Sequence, residues 1–580
     1  MKRNVTAILL SAVMALGLAG CGSRAEKKTG SSDVSGSVVT AVTSGAESTA
    51  SAEEAASSGA VSDGGDLNVM IETPVESLDP QKAEDGTSFE VIADYMDGLM
   101  QMDENGKPVP AIAKSYEQSS DGLTWTFHLR KDAKWSNGTR VTAKDFVFAW
   151  QRAVDPDTAA SYSYMLSDVG QIKNAVDIIA GKKNKSELGV TAKDDYTLVV
   201  TLNAPVSSFL SLMCLPTFYP VNEDFYNKCN GTYGSSPDTI LADGAFVIDD
   251  YEPAATSIHM KKNENYYDKD RIKLSGIKYS VIQDSQTALM SYQNGDLDLT
   301  LVNGDQVDQV KDDPDYTSFS SGYMWYIAPN ISGVKELQNL NIRLAMTMAL
   351  DRESITNDVC RDGSVPTYTA VPVDFATGPD GKAFSEDQSR YSSVCTYDKA
   401  KAAEYWKKGL DDLGINSLEL TLKMDADDEP QKVAQVIKEE LEDALPGLTI
   451  NLEPEPKKQR LQDMYNGDFD LGLTRWGPDY DDPMTYLGMW KTDVTYNYGK
   501  FSDSTYDSIL AECTTGDLAL DQKGRWDALC KAEDIIMNNA VIFPLYTQCN
   551  AEMIKSNVKG VAFHPVAINR VYKDAVKTAE

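Results

Sequence analysis

The sequence predicts a mixed α/β fold, and three observations carry this prediction. Residues 123–129 alternate strictly between apolar and polar, as a half-buried strand does, and much of 196–202 follows the same pattern. Segments with apolar residues at helical spacing are interspersed with such strands along the body of the chain. The composition, 42% hydrophobic and 24% charged over 580 residues, is that of a globular protein with a sizeable core.

Helix signals are clearest where a cap precedes an apolar stripe. Thr142 and Asp145 have the spacing of a capping box ahead of Phe146 and Trp150, a pattern typical of a helix start. Helical composition and spacing also predict four further helices, at 341–351, 399–413, 431–445 and 522–538. The chain shows no internal repeat of about 20 to 50 residues, which argues against a solenoid.

Charge and motif content exclude several functions. The chain has 54 Lys and Arg against 88 Asp and Glu, a net charge of −34, so a phosphate backbone would be repelled and nucleic acid is not an expected partner. The three histidines, His128, His259 and His564, are far apart, so no metal site is expected. The sequence contains no Walker loop, G-x-S-x-G elbow, GxGxxG or HExxH motif, so neither an enzyme nor a cofactor is predicted.

The N-terminus indicates export and lipidation. Lys2 and Arg3 precede an apolar stretch, 5–18, that is shorter than the ~20 residues needed to cross a bilayer, so 1–20 is interpreted as a signal peptide. The stretch ends in Leu-Ala-Gly before Cys21, which resembles the lipobox of bacterial lipoproteins. Acylation of Cys21 would anchor the mature chain, because two or more acyl chains hold a protein firmly to a membrane.

A linker is predicted to follow the anchor. Residues 21–66 consist mainly of Gly, Ala, Ser and Thr and contain no aromatic residue, so they cannot form a core. As a flexible coil, this segment would hold the body away from the membrane while keeping it attached. The remaining residues, 67–580, are expected to be soluble and outside the cytoplasm.

The cysteines leave their pairing open. Seven follow Cys21, and an odd number in an exported chain leaves at least one thiol unpaired or bridged to another chain. Proximity suggests Cys214 with Cys229 and Cys360 with Cys395, while reduced buried thiols are an equally good interpretation. The other three are Cys513, Cys530 and Cys549.

The body resembles the oligopeptide-binding branch of the extracellular solute-binding proteins that feed ABC importers. The similarity extends from about residue 66 to 573, with its motifs in the family's order. The segments that carry it are Ser77-Leu78-Asp79-Pro80, Asp97-Gly98-Leu99-Met100, 125–138, 143–147, Asn341-Ile342-Arg343, Ala349-Leu350-Asp351-Arg352 and Pro544-x-Tyr546.

The resemblance implies a two-lobed periplasmic-binding-protein-like fold with three domains and a cleft at a hinge. Domain I would consist of 67–96, 222–322 and 550–580, domain II of 97–221 and domain III of 323–549. In that family the peptide is held as an added strand by main-chain hydrogen bonds, while its side chains enter hydrated pockets, which allows broad specificity.

The resemblance also implies a peptide-binding site. Asp479 matches the aspartate that pairs with the peptide α-ammonium, and Arg475, Trp476 and Gly477 match its neighbours on the ligand-facing strand. Tyr162 matches a tyrosine that bonds the ligand backbone, with ordinary packing as the alternative. Glu84 to Gly86 match a segment that pairs with the ligand. Trp325 and Tyr326 are expected in the core rather than in the cleft. Asp481 and Asp482 are expected to be turn or solvent residues.

The sequence therefore predicts a receptor. It is expected to be a monomer, lipid-anchored on the outer face of a bacterial cytoplasmic membrane, that binds oligopeptides and delivers them to the permease subunits of an ABC importer. The alternatives are the same fold with another solute, such as a dipeptide, an oligosaccharide or haem, and a surface peptidase.

Overall fold

The computed structural model describes residues 64–579 except 253–255, 374 and 387. The predicted signal peptide, the predicted lipidation site Cys21 and the predicted linker up to residue 63 lie outside the described residues. Gly64 and Asp66 were assigned to that linker, but they already bond to the body: Gly64 N–H donates to the Lys273 carbonyl, and the Asp66 carboxylate accepts from Ser275. Gly64 and Asp66 are therefore part of the folded body.

Strands and helices are interspersed along the described chain, which confirms the predicted α/β class. The strands are β1 (Leu67–Ile71), β2 (Met100–Met102), β3 (Pro108–Pro110), β4 (Ala113–Gln118), β5 (Thr124–Leu129), β6 (Val190–Asp194), β7 (Thr197–Thr201), β8 (Phe246–Asp250), β9 (Ser257–Lys262), β10 (Gly276–Val281), β11 (Leu299–Leu301), β12 (Tyr316–Pro329), β13 (Val365–Pro366), β14 (Leu418–Asp425), β15 (Leu448–Glu455), β16 (Leu471–Trp476), β17 (Phe543–Ile554), β18 (Val558–Lys559), β19 (Ala562–Phe563), β20 (Arg570–Val571) and β21 (Val576–Lys577). The helices are α1 (Gly86–Tyr95), α2 (Ala143–Ala153), α3 (Ala175–Ile179), α4 (Phe209–Leu212), α5 (Glu223–Lys228), α6 (Ser285–Gln293), α7 (Gly304–Val310), α8 (Leu340–Met348), α9 (Arg352–Ser354), α10 (Ser392–Cys395), α11 (Lys399–Leu413), α12 (Asp428–Ala444), α13 (Lys457–Asn466), α14 (Met484–Leu487), α15 (Ser504–Thr514) and α16 (Gln522–Asn538).

The described residues form two main sheets and three two-stranded ones, which are β2-β3, β18-β21 and β19-β20. The larger has the order β15-β14-β16-β12-β17-β11-β1-β10-β9-β8, with β13 paired to β17. The smaller is antiparallel, with the order β4-β5-β7-β6. In β5 the side chains alternate between half-buried and buried, as the sequence predicts, because one face of this sheet covers the core.

Two long strands connect the halves of the large sheet. The first half of β12 pairs with the end of β17, from Tyr316 opposite Met553 to Ser320 opposite Cys549, and pairing resumes with Met324 opposite Thr547. A bulge interrupts the ladder between these two stretches. Gly322 lies in the bulge at φ +75°, where an added Cβ would collide with the carbonyl oxygen of Pro565.

The hydrophobic core is also divided between the two halves of the large sheet. One hydrophobic cluster surrounds the small sheet and β1, β8, β9 and β10, and two others pack on opposite faces of β12 and β16. Trp325 belongs to one of these and Tyr326 to the other, since successive side chains of a strand point to opposite faces. Both residues are fully buried, so the core interpretation of this pair is confirmed.

The seven cysteines of the body are all free thiols. The suggested pairs, Cys214 with Cys229 and Cys360 with Cys395, are therefore wrong in this structure, and the reduced-thiol interpretation holds. Burial explains their chemistry, because it raises the pKa of the Cys214 and Cys395 thiols and so keeps them protonated and unreactive.

Within the described residues, no helix is long and apolar enough to cross a membrane.

Candidate functional site

The candidate site lies where the central strand β16 ends. This strand runs parallel to β14 and antiparallel to β12, and its last residue, Trp476, is followed by Gly477 and Pro478. The chain then turns out of the sheet and presents Asp479, whose side chain is almost enclosed, with the residue 8% exposed. The backbone N–H of Asp479 donates to Thr485 Oγ1 at 3.1 Å, which fixes this turn against α14.

Asp479 is held by two tyrosines from a distant part of the chain. Tyr162 Oη donates to Asp479 Oδ1 at 3.1 Å, and Tyr164 Oη approaches Oδ2 at 3.5 Å. No basic side chain of the described residues forms an ion pair with this carboxylate. Burial raises the pKa of Asp479 to about 7, while the two tyrosine hydroxyls act in the opposite direction. The carboxylate therefore lacks a cation that would stabilise its charged form.

Aromatic side chains pack against one another beside this carboxylate. The Trp476 and Tyr496 rings are 4.6 Å apart, centroid to centroid, and Tyr164 lies 5.5 Å from Tyr162 and 6.4 Å from Tyr496. We call these four residues and Asp479 the Asp479 cluster. A buried carboxylate within aromatic faces suits a compact cation, because the charge is neutralised while the rings attract it through their quadrupoles.

Close packing explains the glycine after Trp476. A Cβ on Gly477 would lie 2.6 Å from the ring of Tyr323, so only glycine fits at this position without displacing that ring. The same tyrosine reaches towards α1, since a Cβ on Gly86 would lie 3.7 Å from Tyr323 Oη. Tyr323 thus links the ligand-facing strand of the prediction to the start of α1.

The predicted segment at Glu84 to Gly86 forms the N-terminus of α1. Asp85 is the cap: its Oδ1 accepts from the N–H of Ser88 at 2.9 Å, and its Oδ2 is buried without a partner. Glu84 is exposed. Phe89 of the same helix contacts the Tyr162 ring edge-to-face, with centroids 5.4 Å apart. The structure therefore brings Gly86 near the Asp479 cluster through Tyr323 and Phe89.

Arg475 points away from Asp479. Its guanidinium stacks over the rings of Tyr323 and Trp325, at 5.2 and 5.0 Å from their centroids, and Nη1 donates to Gln548 Oε1 at 3.2 Å. The pairing of Arg475 with Trp325 across β16 and β12 sets this orientation. Among the predicted site residues, Arg475 is thus separate from the carboxylate.

The two neighbouring aspartates differ from each other. Asp482 lies in the turn, one of the two predicted alternatives, but the other alternative, a solvent residue, is wrong. It is buried and forms a bidentate ion pair with Arg525, at 2.7 and 2.9 Å. The physical reason is that α16 brings the guanidinium of Arg525 to the turn from a distant point in the sequence. Asp481 is only partly buried and lies 3.5 Å from the exposed Lys107.

Two members of the Asp479 cluster were not predicted from the sequence. Tyr164 and Tyr496 are brought to Asp479 by the tertiary fold, and only the repeated tyrosines at 162 and 164 gave a signal in the sequence. Within the described residues, no group of three His, Cys, Asp or Glu side chains is placed to hold a metal ion.

A large cavity opens beside the cluster. Its volume is about 670 Å³, and Tyr164, Trp476, Asp479 and Tyr496 form part of its wall. The remaining wall comes from residues 161–171 and 205–208 on one side and 480–525 on the other. Volumes of this order are typical of sites that bind small organic ligands.

Comparisons with known proteins agree on the family. The family model for "Bacterial extracellular solute-binding proteins, family 5 Middle" matches residues 107–498. A dipeptide-binding protein of Lactococcus lactis is 34% identical over 522 residues, which are 88% of this chain and 94% of that protein. The periplasmic oligopeptide-binding protein OppA of Salmonella typhimurium is 31% identical, over 84% of this chain and 88% of its own length.

Solved structures share the fold. Listeria monocytogenes OppA bound to peptide is 36% identical, with a TM-score of 0.77 over 89% of this chain and 99% of that chain. The pheromone receptor PrgZ, solved to define its mode of peptide binding, is 32% identical, with a TM-score of 0.78 over 89% of this chain and 99% of its own.

Proposed function

Since the chain belongs to family 5 of the bacterial extracellular solute-binding proteins, whose members are receptors rather than enzymes, we propose that it binds oligopeptides by their free amino terminus. The observation that carries this proposal is the Asp479 cluster. Its carboxylate is buried, is bonded by Tyr162 and has no ion-pair partner among the described residues. A peptide α-ammonium supplies the missing cation.

The peptide backbone is proposed to lie along the end of β16. Tyr323 packs against Gly477 and lies near Gly86, so the end of β16 and the start of α1 are close to each other beside Asp479. Hydrogen bonds between backbones are common to all peptides. Binding through them favours breadth of ligand, while the ammonium pair fixes the register.

Closure is proposed to occur about the two long strands. Tyr162 and Asp479 belong to the proposed domains II and III, and the boundaries proposed near residues 322 and 549 coincide with the bulge between β12 and β17. A hinge at a bulge needs only a few residues to change their dihedral angles. Peptide bound between both sides would favour the closed form.

Delivery to an importer completes the proposal. Acylated Cys21 would hold the receptor at the outer face of the cytoplasmic membrane, and the permease subunits of an ABC importer would receive the peptide. The anchor is tested by labelling with a radioactive fatty acid. The wild-type chain should carry label and the Cys21→Ser chain should not; equal labelling of both would remove the anchor from the proposal.

Native mass spectrometry of protein purified without added ligand tests the ligand class. We expect a ladder of bound masses that fragment into peptide sequences. A single bound mass that does not fragment as a peptide would instead support another solute in the same fold, such as an oligosaccharide or haem. Peptide fragments released into solution on incubation at high protein concentration would support a peptidase.

A further inference from the structure

Strand β15 forms one edge of the large sheet. Among the described strands it pairs with β14 alone, in parallel register along its whole length. Every second residue of an edge strand directs its backbone N–H and C=O groups away from the sheet, where another strand can bond to them. In β15, the apolar residues Leu448, Ile450 and Leu452 alternate with polar ones, a pattern that favours pairing with a further strand. An open edge of this kind invites association between molecules.

Two side chains of α12 occupy the outward backbone groups of Ile450. Glu442 Oε1 accepts from the Ile450 N–H at 2.8 Å, and Lys438 Nζ donates to the Ile450 carbonyl oxygen at 2.6 Å. Lys438 and Glu442 lie one helical turn apart and form an ion pair with each other at 2.6 Å. The Lys438 ammonium and the Ile450 N–H lower the pKa of Glu442, so its carboxylate stays charged at neutral pH. We call Lys438 and Glu442 the edge clamp.

The remaining outward positions of β15 are also restricted. Because backbone directions alternate along a strand, three further residues face outward with Ile450. They are Leu448, Leu452 and Pro454. The Leu448 N–H donates to the Leu445 carbonyl at 3.0 Å, and proline has no N–H to donate. In this part of the described chain, Leu452 thus carries the remaining outward N–H. A single N–H does not sustain a ladder, so the edge clamp decides whether β15 can pair.

We infer that the edge clamp keeps β15 from pairing with β15 of a second copy of this chain. A second copy fits this edge because two identical strands, placed antiparallel about a twofold axis, present the same groups to each other. Opposed Ile450 residues would exchange both of their N–H···O=C bonds, and these are the groups that the edge clamp occupies. The edge clamp shares no residue with the Asp479 cluster, so its role is independent of the ligand.

Sedimentation velocity of a clamp-free variant tests the inference. Lys438→Met with Glu442→Leu removes both charged groups and keeps good helix-forming residues in α12. We expect wild type to show the same mass at every concentration, and the double variant to form a species of twice that mass as its concentration rises. Equal behaviour of the two proteins, with the fold of both verified by circular dichroism, would overturn the inference.

A matched control separates strand pairing from the effect of added apolar surface. Lys407 and Asp411 form the same kind of ion pair, one helical turn apart, on α11 at 3.1 Å, with both side chains exposed. Lys407→Met with Asp411→Leu therefore makes the same exchange on a helix surface and should behave like wild type. Dimers as abundant in this control as in the clamp-free variant would show that apolar surface alone is responsible and would overturn the inference.

A third substitution tests the mode of association. Leu452→Pro, added to the clamp-free variant, removes the remaining outward N–H of β15 and no bond to β14, because the backbone of Leu452 faces away from β14. It should reduce the amount of dimer, whereas an unchanged amount would place the contact elsewhere and overturn the inference. If the double variant does not fold, Glu442→Leu alone frees the Ile450 N–H and must form more dimer than wild type for the inference to stand.

Discussion

The proposed mode of ligand binding depends on the environment of a single carboxylate. Asp479 is buried and bonded by tyrosine hydroxyls, and its pKa is raised to about 7 because burial disfavours the charged form. An incoming ammonium group would stabilise that charged form. The proposed pairing therefore couples ligand binding to ionisation of Asp479 and predicts a measurable dependence of affinity on pH.

Peptide affinity is predicted to fall as pH decreases below about 7. In the empty protein Asp479 becomes protonated below this pH, so binding of an ammonium ion must first release a proton. Affinity should drop by up to about tenfold per pH unit, or about 50-fold between pH 7 and pH 5, because the ionised fraction of Asp479 falls from about one half to about one hundredth. Calorimetry in buffers of different ionisation enthalpy should show proton release near pH 6; a constant Kd from pH 5 to 7 would contradict the coupling.

The pair of Asp482 and Arg525 is predicted to stabilise the fold. Asp482→Ala leaves a buried guanidinium without its carboxylate and should lower the free energy of unfolding by about 3 to 5 kcal/mol. Asp481→Ala is the control, because it removes only a partly exposed pair with Lys107 and should cost less than about 1 kcal/mol. Urea unfolding, with an unchanged m-value, measures the free energy of unfolding of both variants. Similar losses of this free energy would show that the buried pair stabilises the fold no more than the exposed pair does.

At the residue scale, the site residues that could be predicted from the sequence are those that match a motif of the family. Asp479 and Tyr162 came from the resemblance, and the structure brings them together. Tyr496 and the partner of Asp482 could not be predicted, because each depends on segments that only the tertiary fold brings to the site. A run of acidic residues looks like a solvated turn until its distant cation is known.

At the scale of elements, helices with strong patterns were predicted well. The predicted spans 399–413 and 522–538 coincide with α11 and α16. The predicted span 431–445 begins three residues after the start of α12 at Asp428, because Asp428 and Glu429 add no apolar residue to the stripe. They form the first helical turn instead, where acidic side chains interact favourably with the helix dipole.

Two arginines of the family motifs prove to be structural. Arg343 donates to the carbonyls of Leu337, Gln338, Asn539 and Ala540, and so caps the end of α16. Arg352 donates to the carbonyls of Thr347, Leu350, Cys395 and Pro544. Helix ends leave such carbonyls without internal partners, and these guanidinium groups satisfy them inside the core. These two motifs therefore mark residues that hold the core together.

The bulge of β12 is predicted to tolerate no side chain at Gly322. Gly322→Ala would be strained at φ +75° and would also collide with the Pro565 carbonyl and approach Pro478 Cδ within 2.9 Å. Gly138→Ala, at φ +86° with open space around it, carries the backbone strain alone. Thermal unfolding should show that Gly138→Ala lowers the free energy of unfolding by about 1 kcal/mol and that Gly322→Ala lowers it by at least twice as much. Equal losses would mean that the bulge relaxes freely.

At the scale of the whole molecule, the arrangement of the large sheet was beyond the reach of local patterns. β12 and β17 pair although more than 200 residues separate them, and no alternation or cap in either strand specifies that partner. The resemblance implied the fold, and the structural comparisons agree with it. Local physics predicted the elements, while their assembly required information from relatives.

Peptide is predicted to make the molecule more compact. If the segments that carry Tyr162 and Asp479 close on a ligand about the bulge, small-angle X-ray scattering should give a smaller radius of gyration with a saturating tetrapeptide that begins with leucine than without it. The N-acetylated form of that peptide, at the same concentration, is the control and should leave the profile unchanged. Superimposable profiles with and without the free peptide would argue against closure.

The central claim, that Asp479 anchors a free amino terminus, is tested most directly by a calorimetric double cycle at pH 7.5. Wild type and Asp479→Ala are each titrated with one tetrapeptide, leucine followed by three alanines, and with its N-acetylated form. Losing one partner of a desolvated ion pair typically costs 2 to 5 kcal/mol, so either change alone should weaken binding by about 30-fold to several thousandfold, and the two losses should not add. Wild-type affinity of Asp479→Ala for the free peptide, or no effect of acetylation on wild type, would contradict the account.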